Sequence, residues 1–191
     1  MDFPDSIKER NDFILEQIKA GNYEHEWYNI YDDCYVSCDA LKINGIRINC
    51  SYNLQIQIAE LLGAVLPSQL MLDFRHTIAH VSILPVLMPI TLTTQNMIIH
   101  SNRIDREIIR FYGKDVDLKG KIISDVGKTW IMDKNHPNTP INYGFFFSLP
   151  SYQGFKGEAT TMPGIKCIQS PGFAHQGDHV DYSQICLLAK V

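Results

Sequence analysis

Apolar residues recur near helical spacing from Ser6 to Ala20, where Ile7, Phe13 or Ile14, and Ile18 are separated by charged positions and Gly21 follows as a stop. The spacing predicts a helix. From Asn22 to Cys38 the chain is rich in Tyr, Trp and acidic residues without a clean period, which predicts a loop, an irregular strand or a surface arm. Between Asp39 and Cys50, Ala40-Leu41-Lys42-Ile43 and Ile46-Arg47-Ile48 alternate around Asn44-Gly45, a pair suited to a two-residue type I′ turn, so a β-hairpin is expected. Ser51 can cap a helix that carries Leu54, Ile58 and Leu61 or Leu62 on one face and ends at Gly63. Pro67 can occupy the first turn of a third helix, with Leu70, Phe74, Ile78 and Val81 as its apolar stripe, packed on the second. Thr94 can cap a fourth, with Met97, Ser101, Ile104, Ile108 and Phe111 along one side and Gly113 as terminator.

Beyond residue 113 the pattern changes to short strand-like runs, Lys128 to Met132, Asn142 to Phe147, Ile165 to Gln169 and Asp181 to Lys190, punctuated by Pro, Gly and Asn. These predict an antiparallel sheet. Neither a repeat nor a linker divides the chain. The expectation is therefore one α+β domain over 1–191, with N-terminal helices and a β-hairpin packed on a single C-terminal antiparallel sheet. Residues 1–38 would form a helix and irregular arm, 39–113 the hairpin and helices, and 114–191 the β-rich half.

Composition narrows the function classes. With 191 residues, 45% hydrophobic and 20% charged, the chain can bury one substantial core. A formal net charge of −4 argues against the broad basic field that long nucleic acid requires, but two or three placed cations would still hold a small anion. The five cysteines are irregularly spaced with no Cys-x-x-Cys pair, which favours reduced thiols and gives no zinc or redox signature. The opening MDFPDSIKER has no signal-peptide pattern. The longest apolar run, Val81 to Ile90, contains Pro85 and Pro89 and falls short of the roughly 20 residues that span a bilayer. A cytoplasmic protein with no membrane partner is expected, and the sequence is compatible with a homo-oligomer.

Several segments bear on chemistry. Gly120 to Thr129 approaches a phosphate-binding loop, but the first glycine lies too far from Gly127-Lys128-Thr129 and a strand rather than a helix follows. His76 and His80 have the i, i+4 spacing of zinc ligands, yet Thr77 stands where a metalloprotease glutamate would, and both project opposite the predicted apolar stripe, so a solvated polar face is expected. The densest run is His175-Gln-Gly-Asp178-His179-Val-Asp181-Tyr182-Ser183-Gln184, where imidazole beside carboxylate is the pairing of general acid–base catalysis. It could equally build a metal site or a structural turn. His100 is expected at the edge of a helix stripe with Arg103 and Glu107 nearby, and Phe145 to Phe147 are expected to pack in the core.

From about Asp39 onward the order of features resembles an uncharacterised family of small bacterial and phage proteins. The resemblance rests on the hairpin, Gln57-Ile58-Ala59 with Gly63 and Leu66-Pro67, the helix with His100, Gly127-Lys128, Asn142-Tyr143-Gly144, Ile168-Gln169, His175 and Asp181-Tyr182-Ser183. In that pattern an aromatic and a histidine follow Tyr-Gly and another histidine follows Asp-Tyr-Ser, whereas this chain has Phe145, Phe146 and Gln184. Such departures suit a descendant that kept a pocket and altered or lost its chemistry.

The residues together predict a small hydrolase, in a phage-related setting, acting on a phosphorylated small molecule or nucleotide, with a cyclic nucleotide signal as one candidate. His100, Lys128, His175 and Asp181 would be catalytic, His175 being oriented by Asp181 and Lys128 neutralising the substrate. Tyr143, Gln169, Ser183 and Arg103 would contact the substrate. The alternatives are a non-catalytic protein that sequesters a nucleotide, a cell-wall hydrolase and a phage structural component. The residues specify no cofactor and no metal.

Overall fold

Asn44 and Gly45 both adopt left-handed backbone angles, φ 52° and 74°, as a type I′ turn demands, and they join β3 (Lys42–Ile43) to β4 (Ile46–Arg47). The predicted hairpin is therefore present in the computed structural model, which describes residues 3–89, 93–124, 126–148 and 158–191. The segment expected as a loop or arm is a second antiparallel hairpin, β1 (Trp27–Tyr31) and β2 (Cys34–Ser37). A register shift between Asn29 and Tyr31 breaks the alternation, which is why the period was unreadable. On its other edge β2 pairs with β11 (Ala189–Lys190), so the last strand closes a three-stranded sheet with residues from the first fifth of the chain.

The helices start where short side chains can cap them. Ser6 accepts the Glu9 amide at 3.2 Å and opens α1 (Ile7–Lys19), and Ser51 accepts the Leu54 amide at 3.2 Å and opens α2 (Tyr52–Leu61), which packs on α1. The third helix, α3 (Gln69–Thr77), is capped by Ser68, so Pro67 lies outside it. Its predicted stripe is also rotated: Leu70 is 61% exposed, whereas Leu72, Asp73, Arg75 and His76 are buried. The buried face is held by hydrogen bonds. Arg75 donates to the carbonyls of Ser37 (2.8 Å), Cys38 (2.7 Å) and Ile123 (2.8 Å), and the Asp73 carboxylate accepts from the Tyr143 hydroxyl and from the amide and hydroxyl of Thr161.

His76 accordingly is not on a solvated face. It is 7% exposed, bonded to the Ser124 hydroxyl and stacked on Phe146, and its pKa falls to about 4 because burial disfavours the imidazolium, with Arg75 adding to the effect. His80 is exposed and accepts the Ile122 amide at 3.2 Å. The fourth helix, α4 (Thr94–Tyr112), is capped by Thr93 rather than Thr94, because the Thr94 hydroxyl donates to the Pro4 carbonyl at 2.6 Å. Gly113 ends it at φ 87°, and Phe111 faces outward.

In the β-rich half β7 (Lys128–Ile131), β8 (Ile141–Ser148), β10 (Ile165–Gly172) and β9 (Glu158–Ala159) form an antiparallel sheet in that order. A small parallel pair, β5 (Val81–Ser82) with β6 (Ile123–Ser124), links the two halves. The run from Asp181 to Lys190 is not one strand. It turns at Asp181 to Gln184, makes single bridges to Lys128 and Asn49, and becomes regular only in β11. Among the described residues the helices thus pack around a four-stranded and a three-stranded sheet, with two further two-stranded pairs, rather than on a single sheet.

The class is α+β. Two apolar clusters meet at β7: Trp130 packs with Ile14, Leu54, Ile58 and Leu188 on one side, and Ile131 packs with Ile104, Ile108, Ile141 and Ile185 on the other. Phe145 and Phe146 are buried as expected, and the side chain of Phe147 lies outside the described residues.

Candidate functional site

Strand alternation puts Lys128 and Trp130 on one face of β7. Gly144 lies opposite Lys128 and Asn142 opposite Trp130, and Gln169 of β10 lies opposite Gly144. Gly144 matters because a Cβ there would stand 3.0 Å from the Lys128 Cα. The ammonium of Lys128 meets Asp181 at 2.8 Å, with side chains only 12% and 5% exposed.

Asp181 organises the turn around itself. Its Oδ1 accepts the amide (2.8 Å) and hydroxyl (2.7 Å) of Ser183, its amide donates to Gln184 Oε1 (2.7 Å), and its carbonyl accepts from Asn49 Nδ2 (2.7 Å). Burial by itself would raise the pKa of this carboxyl, but Lys128 and the Ser183 donors outweigh burial and hold it below its ordinary value.

His175 and His179 lie in the loop that follows β10. The Asn53 amide donates to the Gly177 carbonyl at 2.9 Å and ties that loop to the start of α2. The two imidazoles stack with centroids 4.0 Å apart and planes inclined by 7°, and the edge of His175 meets Trp130 at 6.2 Å. They line a cleft of about 460 Å³ with Ile7, Gln176, Asp178 and Val180. Partial burial, then His179 and Lys128, push the His175 pKa down against the pull of Asp181. The shift favours the neutral imidazole, the form that accepts a proton, and a second ring lies in contact with it.

The eight residues anticipated for the site are only partly brought together. Lys128, His175, Asp181 and Ser183 share one neighbourhood, and Gln169 lies on the same sheet face with its amide donating to the Ser170 carbonyl at 2.9 Å. No hydrogen bond joins His175 to Asp181 among the described residues, because both carboxylate oxygens are engaged by Lys128 and Ser183. His100 is not at a stripe edge but 2% exposed, bonded to the Val86 carbonyl at 3.1 Å and enclosed by Tyr182 and Phe145. Burial lowers its pKa to about 4 despite that bond. Tyr143 is committed to Asp73, and Arg103 lines a different cleft with Leu84, Arg106 and Glu107.

Four further residues carry no functional role in the sequence reading. His179 was visible in the C-terminal run but received no role. Trp130 is buried with its ring against His175, and opposite it on β8 lies Asn142, whose side-chain N and O have no hydrogen-bond partner among the described residues. Arg10 occupies the inward face of α1 with Ile14 and Ile18, and a charge inside an apolar stripe was the available signal.

All five cysteines are free. Among the described residues no group of three or more His, Cys, Asp or Glu side chains is arranged to hold a metal ion, and no helix is long and apolar enough to cross a membrane. No family model matches the chain, and neither a curated protein nor a solved structure matches it.

Proposed function

We propose that the cleft at His175 and His179 is an acid–base site and that the protein hydrolyses a small phosphorylated molecule, with nucleotides as the first class to try. The observation that carries this reading is the stacked imidazole pair at the mouth of a substrate-sized cleft, one ring with a depressed pKa. His175 would take the proton from the attacking water as the new P–O bond forms, and His179 would donate one to the leaving oxygen as the old P–O bond breaks. Lys128 and Asp181 act as a rigid base beneath the loop, since each spends its charge on the other. The mutual commitment of Lys128 and Asp181, with Gln184 holding the Asp181 amide, favours a second reading: a binding protein that sequesters such a ligand unchanged.

Incubation of the purified protein with a panel of nucleotides and sugar phosphates, followed by denaturation and chromatography, separates the two. Altered product supports hydrolysis. Intact ligand recovered in stoichiometric amount supports sequestration, and no retained or altered compound refutes both.

A further inference from the structure

Apart from the histidine cleft, the fold forms a cavity of about 310 Å³ between α2, the end of β7 and the turn that follows it. Its floor is apolar, made by Ile56 and Ala59 of α2, Leu66, and Ile131 of β7. Backbone bonds set its walls: the Met132 amide donates to the Pro67 carbonyl at 3.0 Å, and Asp133 Oδ1 accepts the Asn135 amide at 2.6 Å. An aliphatic cavity of about 150 Å³ holds one benzene ring, so twice that volume suits about two fused rings.

Tyr52 supplies a polar atom to this lining. The residue is 9% exposed and its ring lies edge-on to Trp130 at 6.0 Å, yet its hydroxyl has no hydrogen-bond partner among the described residues, and burial alone raises its pKa. The oxygen is nevertheless not sealed off. A buried tyrosine hydroxyl normally has a partner, and here a ligand can provide it.

The mouth carries charges of both signs. Glu60 and Lys134 are exposed lining residues, and neither is paired with another charge among the described residues. Asp133, by contrast, is held by the Asn135 amide and lies 3.6 Å from His136. A free carboxylate and a free ammonium at one opening complement a ligand that bears both an ammonium and a carboxylate.

We propose that this cavity binds a zwitterionic aromatic amino acid of the tryptophan type. The fused rings lie on the apolar floor, the ring N–H donates to the Tyr52 hydroxyl oxygen, and the charged end sits between Glu60 and Lys134. The site is separate from the His175 cleft and does not depend on how that cleft is read.

Isothermal titration calorimetry with L-tryptophan, tryptamine, indolepropionate and naphthylalanine tests each contact. The wild-type chain should bind L-tryptophan, and should bind tryptamine and indolepropionate more weakly because each lacks one charge. Tyr52→Phe should weaken L-tryptophan about two- to tenfold, the worth of one hydrogen bond, and leave naphthylalanine, which has no ring N–H, unchanged. Ile56→Trp should fill the cavity and abolish binding of all four compounds while keeping a melting temperature near that of the wild type. His175→Asn should bind L-tryptophan as the wild type does, whatever its effect on turnover.

A wild-type chain that does not bind L-tryptophan at millimolar concentration overturns the proposal, as does a Tyr52→Phe variant that binds it just as tightly. Binding that survives in folded Ile56→Trp, or that is lost in His175→Asn, places the ligand elsewhere and also overturns it. Equal affinity for tryptamine or indolepropionate overturns the assignment of the charged end.

Discussion

Replacing Lys128 by Met removes one partner of an ion pair whose side chains are 12% and 5% exposed. At that burial the figure for solvent-exposed pairs, about 0.2–1 kcal/mol, does not apply. The Asp181 carboxylate would remain enclosed with only the Ser183 amide and hydroxyl as donors, so the loss should be about 3–5 kcal/mol, or roughly 6–20 °C in melting temperature for a chain of this size. Lys128→Met/Asp181→Asn should recover part of it, because the amide oxygen can still accept both Ser183 bonds while the charge is gone. A coupling of about 0.5–3 kcal/mol is expected in the double-mutant cycle.

The pH dependence has a definite sign. In Lys128→Met burial is unopposed by the ammonium, so the folded-state pKa of Asp181 rises above its unfolded value. The deficit is then full above the folded pKa and fades as pH falls toward the unfolded one. Urea unfolding of the four proteins from pH 4 to pH 7 measures all of this. A single-mutant loss below about 1 kcal/mol with no coupling would show that solvent screens the pair, and the reasoning about the base of the site would fail.

Other consequences follow from the same structure. His100 and His76 both have pKa values lowered to about 4 by burial, so unfolding binds protons between pH 6.5 and 4. Stability present above pH 6.5 should fall through that window by up to about 3 kcal/mol per ring; His100→Gln should flatten the slope, and a flat wild-type profile would contradict the burial argument. Gly127→Ala would place a Cβ 2.5 Å from the Ser183 carbonyl oxygen and force two backbones apart, at a cost of about 1–3 kcal/mol by chemical denaturation, so a neutral result would count against the close approach of β7 to the Asp181 turn. Gln55 donates to the Leu187 carbonyl at 2.7 Å and accepts the Thr129 hydroxyl at 3.2 Å, so Gln55→Leu should cost about 1–3 kcal/mol for each buried group left unpaired, read by the same assay.

What the sequence disclosed was governed by local rules. Asn44-Gly45 specifies its turn through backbone angles that few other pairs tolerate, and Ser51 specifies its helix start through one hydrogen bond. The ionisable run from His175 to Asp181 was conspicuous for the same reason, being contiguous. The buried face of α3 was illegible because Asp73, Arg75 and His76 are satisfied by partners far along the chain, and periodicity counts them as surface. Lys128 and Asp181 were both singled out, but nothing local reveals that they neutralise each other and leave His175 to its neighbour His179. Arg10 was hidden by the converse: it sits where the helix pattern calls for an apolar side chain.

The central claim is that His175 transfers a proton in the cleft it shares with His179. Turnover of a phosphorylated substrate by the wild type and by His175→Asn, compared at equal folded fraction, tests it most directly. His175 is only partly buried, so the account predicts a melting temperature within a few degrees of the wild type and a rate reduced by about 10²–10⁴-fold. An unchanged rate in a folded variant would contradict it.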